Sequence, residues 1–248
     1  MEHKGTTAVI PAARGADNPA LLTVLFATVN QTKPPTRILV LDMQSMVREV
    51  RLDENQQLVR FCDHFHIEVI PGQLTSTALA LNYLIEEQAN TEWVWIIPDD
   101  LAPAYDCHQK LLGAALQWDA DLVSGVKLEV VRREPWGEDW NRMNHPHRGT
   151  IVMPWADTAN LLVRRQVWIE SDTSFDPGEE MNGEDVVTTA QIAQEHTIVG
   201  CGEAIGFHLP ADEHRWTTQD GDAYSLKILS EKLGKRHFDW FNRFIKRS

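Results

Sequence analysis

From residue 6 to about residue 130 the chain alternates short apolar runs with segments of helical period, and no other feature of the sequence restricts the fold as strongly. "TTAVIPA", "RILVLD", "HIEVIP", "EWVWIIP" and "DLVSGVKLEV" read as strands. Between the first two, Leu22, Leu25, Phe26 and Val29 fall at i, i+3, i+4 and i+7, which predicts a helix closed by "KPPT". "TSTALALNYLIEEQAN" predicts a second helix, stopping near Asn90. "YDCHQKLLGAALQW" predicts another, with His108, Leu112, Ala115 and Leu116 along one side. Strand-like runs alternating with helix-period runs are the pattern of βα units, so the expected class is α/β with a mainly parallel central sheet.

After residue 130 the regularity fails. "RREPWGEDWNRMNHPHRGTIVMPWADT" carries three Trp and two His without a clean period and reads as a loop or irregular insertion, a kind of segment that is often functional. Order returns at "ANLLVRRQVW". The turn-rich "SDTSFDPGEEMNG" then leads into a helix opened by Glu184 and Asp185, with Val186, Thr189, Ala190 and Ala193 on one face. "TIVGCGEAIGFH" reads as two short strands ending at His208. The expected organisation is one domain over residues 1–221 and a basic, aromatic helix within 222–248. Residues 226–248 hold seven Lys or Arg against Glu231 and Asp239. Such a helix either packs on the domain with a solvated charged face or makes a peripheral membrane contact.

Composition narrows the partners. A chain of 248 residues with 43% hydrophobic content buries a full core. A formal net charge of −13 argues against nucleic acid, since phosphate binding needs clustered Lys and Arg. Cys62, Cys107 and Cys201 are widely spaced and form no CxxC, which indicates neither a disulfide framework nor a zinc site. With no signal-peptide pattern and no apolar run of about 20 residues, the expected location is the cytoplasm, with the inner face of a membrane as the alternative.

The candidate site follows from where the carboxylates fall. In an open α/β sheet ligands bind beyond the carboxyl ends of the strands. Asp42 ends "RILVLD", and Asp99 and Asp100 follow "WVWIIP", so all three face one crevice. Two adjacent carboxylates on a strand exit repel unless a cation neutralises them, and Mg²⁺ or Mn²⁺ takes oxygen ligands. The competing reading is a turn in which the Asp residues cap the next helix. Glu184 and Asp185 sit at a helix start, where the helix dipole favours negative charge.

Taken in order, these segments resemble the inverting nucleotide-sugar glycosyltransferases of family 2, which have the GT-A fold. "AVIPAARGADNPALLTVLFATVNQTKPPTRILVLDMQS" is similar to the family's opening strand, loop, helix and second strand ending in Asp. "TALALNYLI" resembles its helix with a characteristic Asn, here Asn82, and "WVWIIPDDLAP" its DxD region. "ANLLVRRQVW", "NGEDVVTTA" and "GFH" are similar to its acceptor segment, its "ED" helix start and its metal-binding His. The resemblance covers about residues 6–210. It implies a divalent cation, Mn²⁺ or Mg²⁺, held by Asp100 and His208, with Asp99 against the ribose or a metal-bound water. It also implies a UDP-type donor held by Asp42 near the backbone of Pro11 and Ala12, with Asn82 bracing the loop beneath. By the match to "ED", Asp185 is the expected base and Glu184 its neighbour. Trp155 and Asp157 are expected acceptor contacts, for a glycan or lipid-linked acceptor.

The chain departs from the family pattern at Pro98, which stands at the first DxD position, and in the Asn82 helix, which lacks an early basic residue. "DEHRW", residues 212–216, faintly resembles the QxxRW of processive synthases, with Arg215 toward a diphosphate and Trp216 toward an acceptor. Two other functions stay open: a GT-A-like domain that binds sugar nucleotide or glycan without turnover, and a sugar-nucleotide pyrophosphorylase. The latter is disfavoured because "PAARGAD" has a single Gly where a glycine-rich phosphate loop is needed.

Overall fold

A computed structural model describes residues 5–13, 18–43, 51–72, 76–133, 137–142, 149–171, 184–209, 231 and 233–245. The elements over the first half are β1 (Thr6–Ala12), α1 (Pro19–Val29), β2 (Arg37–Asp42), α2 (Gln56–Phe65), β3 (Glu68–Pro71), α3 (Thr77–Asn82, prolonged as a wider turn to Gln88), β4 (Trp93–Ile96), β5 (Leu101–Pro103) and α4 (Cys107–Trp118). The second half adds β6 (Leu122–Arg133), β7 (Gly137–Arg142), β8 (Thr150–Val152), β9 (Leu161–Arg164), α5 (Arg165–Glu170), α6 (Glu184–Ile192), β10 (Ile198–His208) and α7 (Lys235–Ile245).

All these strands join one sheet in the order β3-β2-β1-β4-β9-β6-β10-β5, with β7 on β6 and β8 on β10. The first four are parallel, as the βα alternation predicts. Beyond β4 the sheet is mixed: β9 runs antiparallel to both β4 and β6, while β10 is parallel to β6. Arg164 holds the end of β9 in place. Its guanidinium reaches Glu92 at 3.0 Å and Asp121 at 3.2 Å, and lies 4.8 Å over the Trp93 ring.

Helices cover both faces. Leu21, Val24 and Leu25 of α1, Leu58 and Cys62 of α2, and Leu111 and Leu112 of α4 pack with Ala8 and Ile10. On the other side Leu81 and Leu84 of the α3 segment, Val167 and Trp168 of α5, and Ile192 of α6 pack with Val9, Leu39 and Leu41. Each fully buried Leu or Val contributes roughly 1.5–3 kcal/mol through the water it sheds. The helical faces are rotated from the expected ones. In α1 the core side is Leu21, Val24, Leu25 and Thr28, leaving Phe26 57% exposed. In α4 it is His108, Leu111, Leu112 and Ala115, leaving Leu116 66% exposed.

Three expectations are corrected. The "irregular" stretch after residue 130 contains a β-hairpin, β6 pairing with β7 from Leu128↔Arg142 to Arg133↔Gly137. The two strands expected around "TIVGCGEAIGFH" are one strand, β10, interrupted by a bulge between Cys201 and Ile205. The segment after Asp100 is itself a strand, β5, which the run "LAP" was too short to announce.

The C-terminal helix α7 packs on the domain. Leu233 and Phe238 meet Val187 and Ala190 of α6 and the Trp155 ring, and the His237 Nε2 stands 3.1 Å from the Pro154 carbonyl oxygen. No helix among the described residues is long and apolar enough to cross a membrane.

Candidate active site

The strand order places a crevice before any side chain is considered. From β1 the chain builds outward through β2 and β3, then returns to the other side of β1 for β4, so the β1–β4 seam is the topological switch point. Pro11 sits at that seam without straining the ladder. Val9 accepts from Ile97 N–H at 3.0 Å on the β4 side, and two residues on the chain turns the same side outward at Pro11, where β4 has ended and no donor is needed. Ala12 faces the other way and accepts from Met43 N–H at 3.3 Å.

Asp42 ends β2 beside Ala12 and is buried. Its Oδ2 accepts the Leu52 N–H at 3.0 Å, which ties the chain's return to the strand end. Asp99 and Asp100 lie across the crevice in a turn closed by Leu101 N–H to Pro98 C=O at 3.2 Å. The turn half of the competing reading therefore holds, but the turn leads into a strand, and the N-cap position of the next described helix is Asp106. Both side chains belong to residues only 5% and 6% exposed, unusual for adjacent carboxylates. Asn18, the N-cap of α1, donates its amide to the Asp99 carbonyl at 3.0 Å and accepts from Ala20 N–H, so the start of α1 is bound to the Asp pair.

His208 reaches Asp100 from the far end of the sheet. β10 and β5 pair antiparallel with His208 opposite Leu101, and Leu209 N–H bonds the Asp100 carbonyl at 2.8 Å. The His208 Nε2 then stands 3.1 Å from Asp100 Oδ2, the two side chains being 12% and 8% exposed. Gly206 permits this approach, since a Cβ there would lie 2.6 Å from the Leu101 side chain.

The donor set fits a hard divalent ion. Neighbouring ligands on an octahedral cation at about 2.1 Å stand about 3 Å apart, the separation seen here. Among the described residues no group of three or more His, Cys, Asp or Glu could hold a metal; Asp100 and His208 are the pair that would offer it an oxygen and a nitrogen.

The remaining expected residues are distributed as follows. Asn82 ends α3, and its Oδ1 accepts the Trp168 indole N–H at 3.0 Å, joining α3 to α5. Asp157 accepts Ala159 N–H at 2.7 Å in a tight local turn. Trp155 is half-buried in the packing between α6 and α7. Glu184 and Asp185 open α6, as expected; their side chains lie outside the described residues, as do Arg215 and Trp216. Sequence reasoning missed Thr189 as a site residue: its hydroxyl accepts from Ala156 N–H at 2.9 Å and donates to Ala156 C=O at 2.7 Å, locking α6 to the Trp155–Asp157 segment.

With this geometry in view, solved structures give the comparison. Residues 1–349 of S. aureus TarS in complex with UDP-GlcNAc superpose with a TM-score of 0.71 at 14% identity, over 98% of this chain and 72% of that one. GalNAc-T7 with UDP, GalNAc and Mn²⁺ gives 0.70 at 10% identity, over 97% of this chain and 50% of that one. The chain has the GT-A fold. It spans 41% of a longer S. aureus TarS structure, which it matches with a TM-score of 0.67 at 13% identity. No family model and no curated protein sequence matches the chain.

Proposed function

We propose that this chain is a glycosyltransferase that moves a sugar from a UDP-linked donor to an acceptor hydroxyl with inversion, using a divalent cation. The observation that carries the reading is the buried Asp100–His208 pair at the switch-point crevice. The GT-A fold supports it, as do the UDP, UDP-GlcNAc and Mn²⁺ bound in the two neighbours named above. A binding module without turnover predicts a broken base or metal site, whereas Asp100, Asp185 and His208 are all present.

Each residue then has a task. Asp42, with the backbone of Pro11 and Ala12, holds the nucleoside end of the donor, and Asp99 lies against the ribose. Asp100 and His208 hold the cation, which when bound supplies positive charge to the departing diphosphate. Asp185, at the start of α6, takes the proton from the acceptor hydroxyl as that oxygen bonds to the sugar C1 and the C1–phosphate oxygen bond breaks. Glu184 orients the acceptor, Thr189 keeps α6 in register with the Trp155–Asp157 segment that contacts it, and Asn82 steadies the floor through Trp168.

Calorimetric titration of UDP, GDP and UDP-sugars, with and without Mn²⁺, tests the reading. Metal-dependent UDP binding that is lost in Asp100→Ala is expected. Nucleotide binding of equal strength with and without metal, or in the variant, overturns the cation's place. No nucleotide binding at all overturns the donor.

A further inference from the structure

Parallel pairing of β10 with β6 changes register partway. Cys201 faces Gly125, yet Ile205 faces the very next residue, Val126, so Gly202, Glu203 and Ala204 are in excess of β6. Three extra residues are an odd number. They reverse which side chains of β10 point to which face and set its C-terminal end back by three positions along β6, roughly 10 Å at about 3.3 Å per residue. Without the bulge Ile205 would stand opposite Glu129, where His208 now stands, and the imidazole would lie well beyond Asp100.

Backbone bonds flank the bulge, Gly202 N–H to Gly149 C=O at 3.0 Å and Ala104 N–H to Ile205 C=O at 2.8 Å, and a buried side chain reaches into it. Asn160, 0% exposed and in left-handed backbone at φ 69°, donates its Nδ2 to the Ala204 carbonyl at 3.1 Å. Its Oδ1 accepts from the Trp95 indole at 3.1 Å and from the Cys107 thiol at 3.3 Å. Donor and acceptor ends of the amide are thus assigned by their partners. Asn160 C=O also accepts Gly125 N–H at 2.8 Å. Gly125 makes room for the amide, because a Cβ there would fall 2.1 Å from Asn160 Nδ2 and 2.6 Å from the Ala204 oxygen. Trp95 lies five residues before Asp100, and Ala204 four before His208, so a single amide links β4, which leads into the Asp turn, with β10, which carries His208.

We infer that Asn160, seated over Gly125, is the positioning residue that sets the β10 bulge and thereby brings His208 onto Asp100. The structural part of this inference stands on geometry alone; its bearing on catalysis rests on the cation reading above, and the test separates the two. Asn160→Asp keeps the size and the acceptor for Trp95 and Cys107 but turns the group facing Ala204 C=O into a second acceptor. Cys107→Ala removes a donor from the same amide and leaves the Asn160 bond to Ala204 C=O in place. The readouts are the side-chain ¹⁵N signature of His208 by long-range NMR, assigned with His208→Gln, Mn²⁺ affinity in the presence of UDP, and the melting temperature.

Asn160→Asp is expected to lose the hydrogen-bonded His208 signature and to weaken Mn²⁺ binding at least tenfold. Cys107→Ala should melt lower yet keep both. If Asn160→Asp does not fold, Asn160→Gly, which tolerates the left-handed backbone, takes its place. A folded Asn160 variant with the native His208 signature overturns the inference, as does Cys107→Ala losing that signature in step with its stability. If wild type binds no Mn²⁺ at this pair while the signature still depends on Asn160, the cation reading fails and the positioning role stands.

Discussion

His208 Nε2 and Asp100 Oδ2 stand 3.1 Å apart across 108 residues of sequence. Two elements deliver them: a three-residue strand that follows the Asp turn, and the end of β10 paired against it. Groups joined in this way act as a unit. Asp100→Ala and His208→Ala are each expected to lower Mn²⁺-dependent turnover about 100-fold or more, and the double variant should be little worse than the poorer single one. Steady-state kinetics on the three variants checks this; additive losses would mean that the residues work independently.

Asp185 is expected to matter for the chemical step and not for donor binding. Asp185→Asn should cut kcat by roughly 10²–10⁴-fold while UDP affinity stays within about twofold, and Glu184→Gln should do less. Turnover numbers and nucleotide titrations on the same preparations decide it. Equal losses in the two variants would move the base to Glu184 or beyond α6.

Asn82 joins α3 to α5 through Trp168, a contact that stabilises the fold beneath the crevice. Asn82→Ala is expected to lower unfolding free energy by about 1–3 kcal/mol, since a buried indole N–H loses its acceptor. UDP affinity should shift by no more than about threefold. Urea denaturation followed by titration separates these effects, and a large affinity loss with intact stability would give Asn82 a direct hold on the donor.

The thiols should be silent in the folded protein. Burial pushes Cys107 up to about 12 and Cys62 up to about 11, so at pH 8 neither presents thiolate. All three cysteines are buried. Ellman's reagent at pH 8 should report essentially no fast-reacting thiol until denaturant is added, when three should react; a fast thiol in the native state would show that α2, α4 or β10 opens readily.

How far the sequence announces this molecule depends on the range of the interaction concerned. Strands β1, β2 and β4 are readable because burial on a parallel sheet demands continuous apolar runs and the Asp residues mark where those runs stop, and α1 and α3 show in their apolar period, whereas α2 (Gln56–Phe65), with only Leu58 and Cys62 buried, is not read from the sequence. The faces of α1 and α4 were misjudged by about one position, because Phe26 and Leu116 are apolar without being inward. Strand β5 and the β6–β7 hairpin escaped notice since neither alternates cleanly; pairing partners far along the chain define them. Asn160 lay in plain view within "TAN", but a short polar residue before an apolar run gives no sign that Trp95, Cys107 and Ala204 will converge on it. The His208–Asp100 contact depends on a three-residue register change that no local pattern encodes.

The distance in sequence between the two halves of the pair has a temporal side. At about 5–20 residues per second of synthesis, Asp100 leaves the ribosome roughly 5–20 s before His208 does. Through that interval the parallel half of the sheet, β1 to β4, can assemble with its carboxylates at the rim still hydrated, because β5 has no β10 to lie against. The two halves of the pair therefore meet only once β10, the last strand among the described residues, is in place.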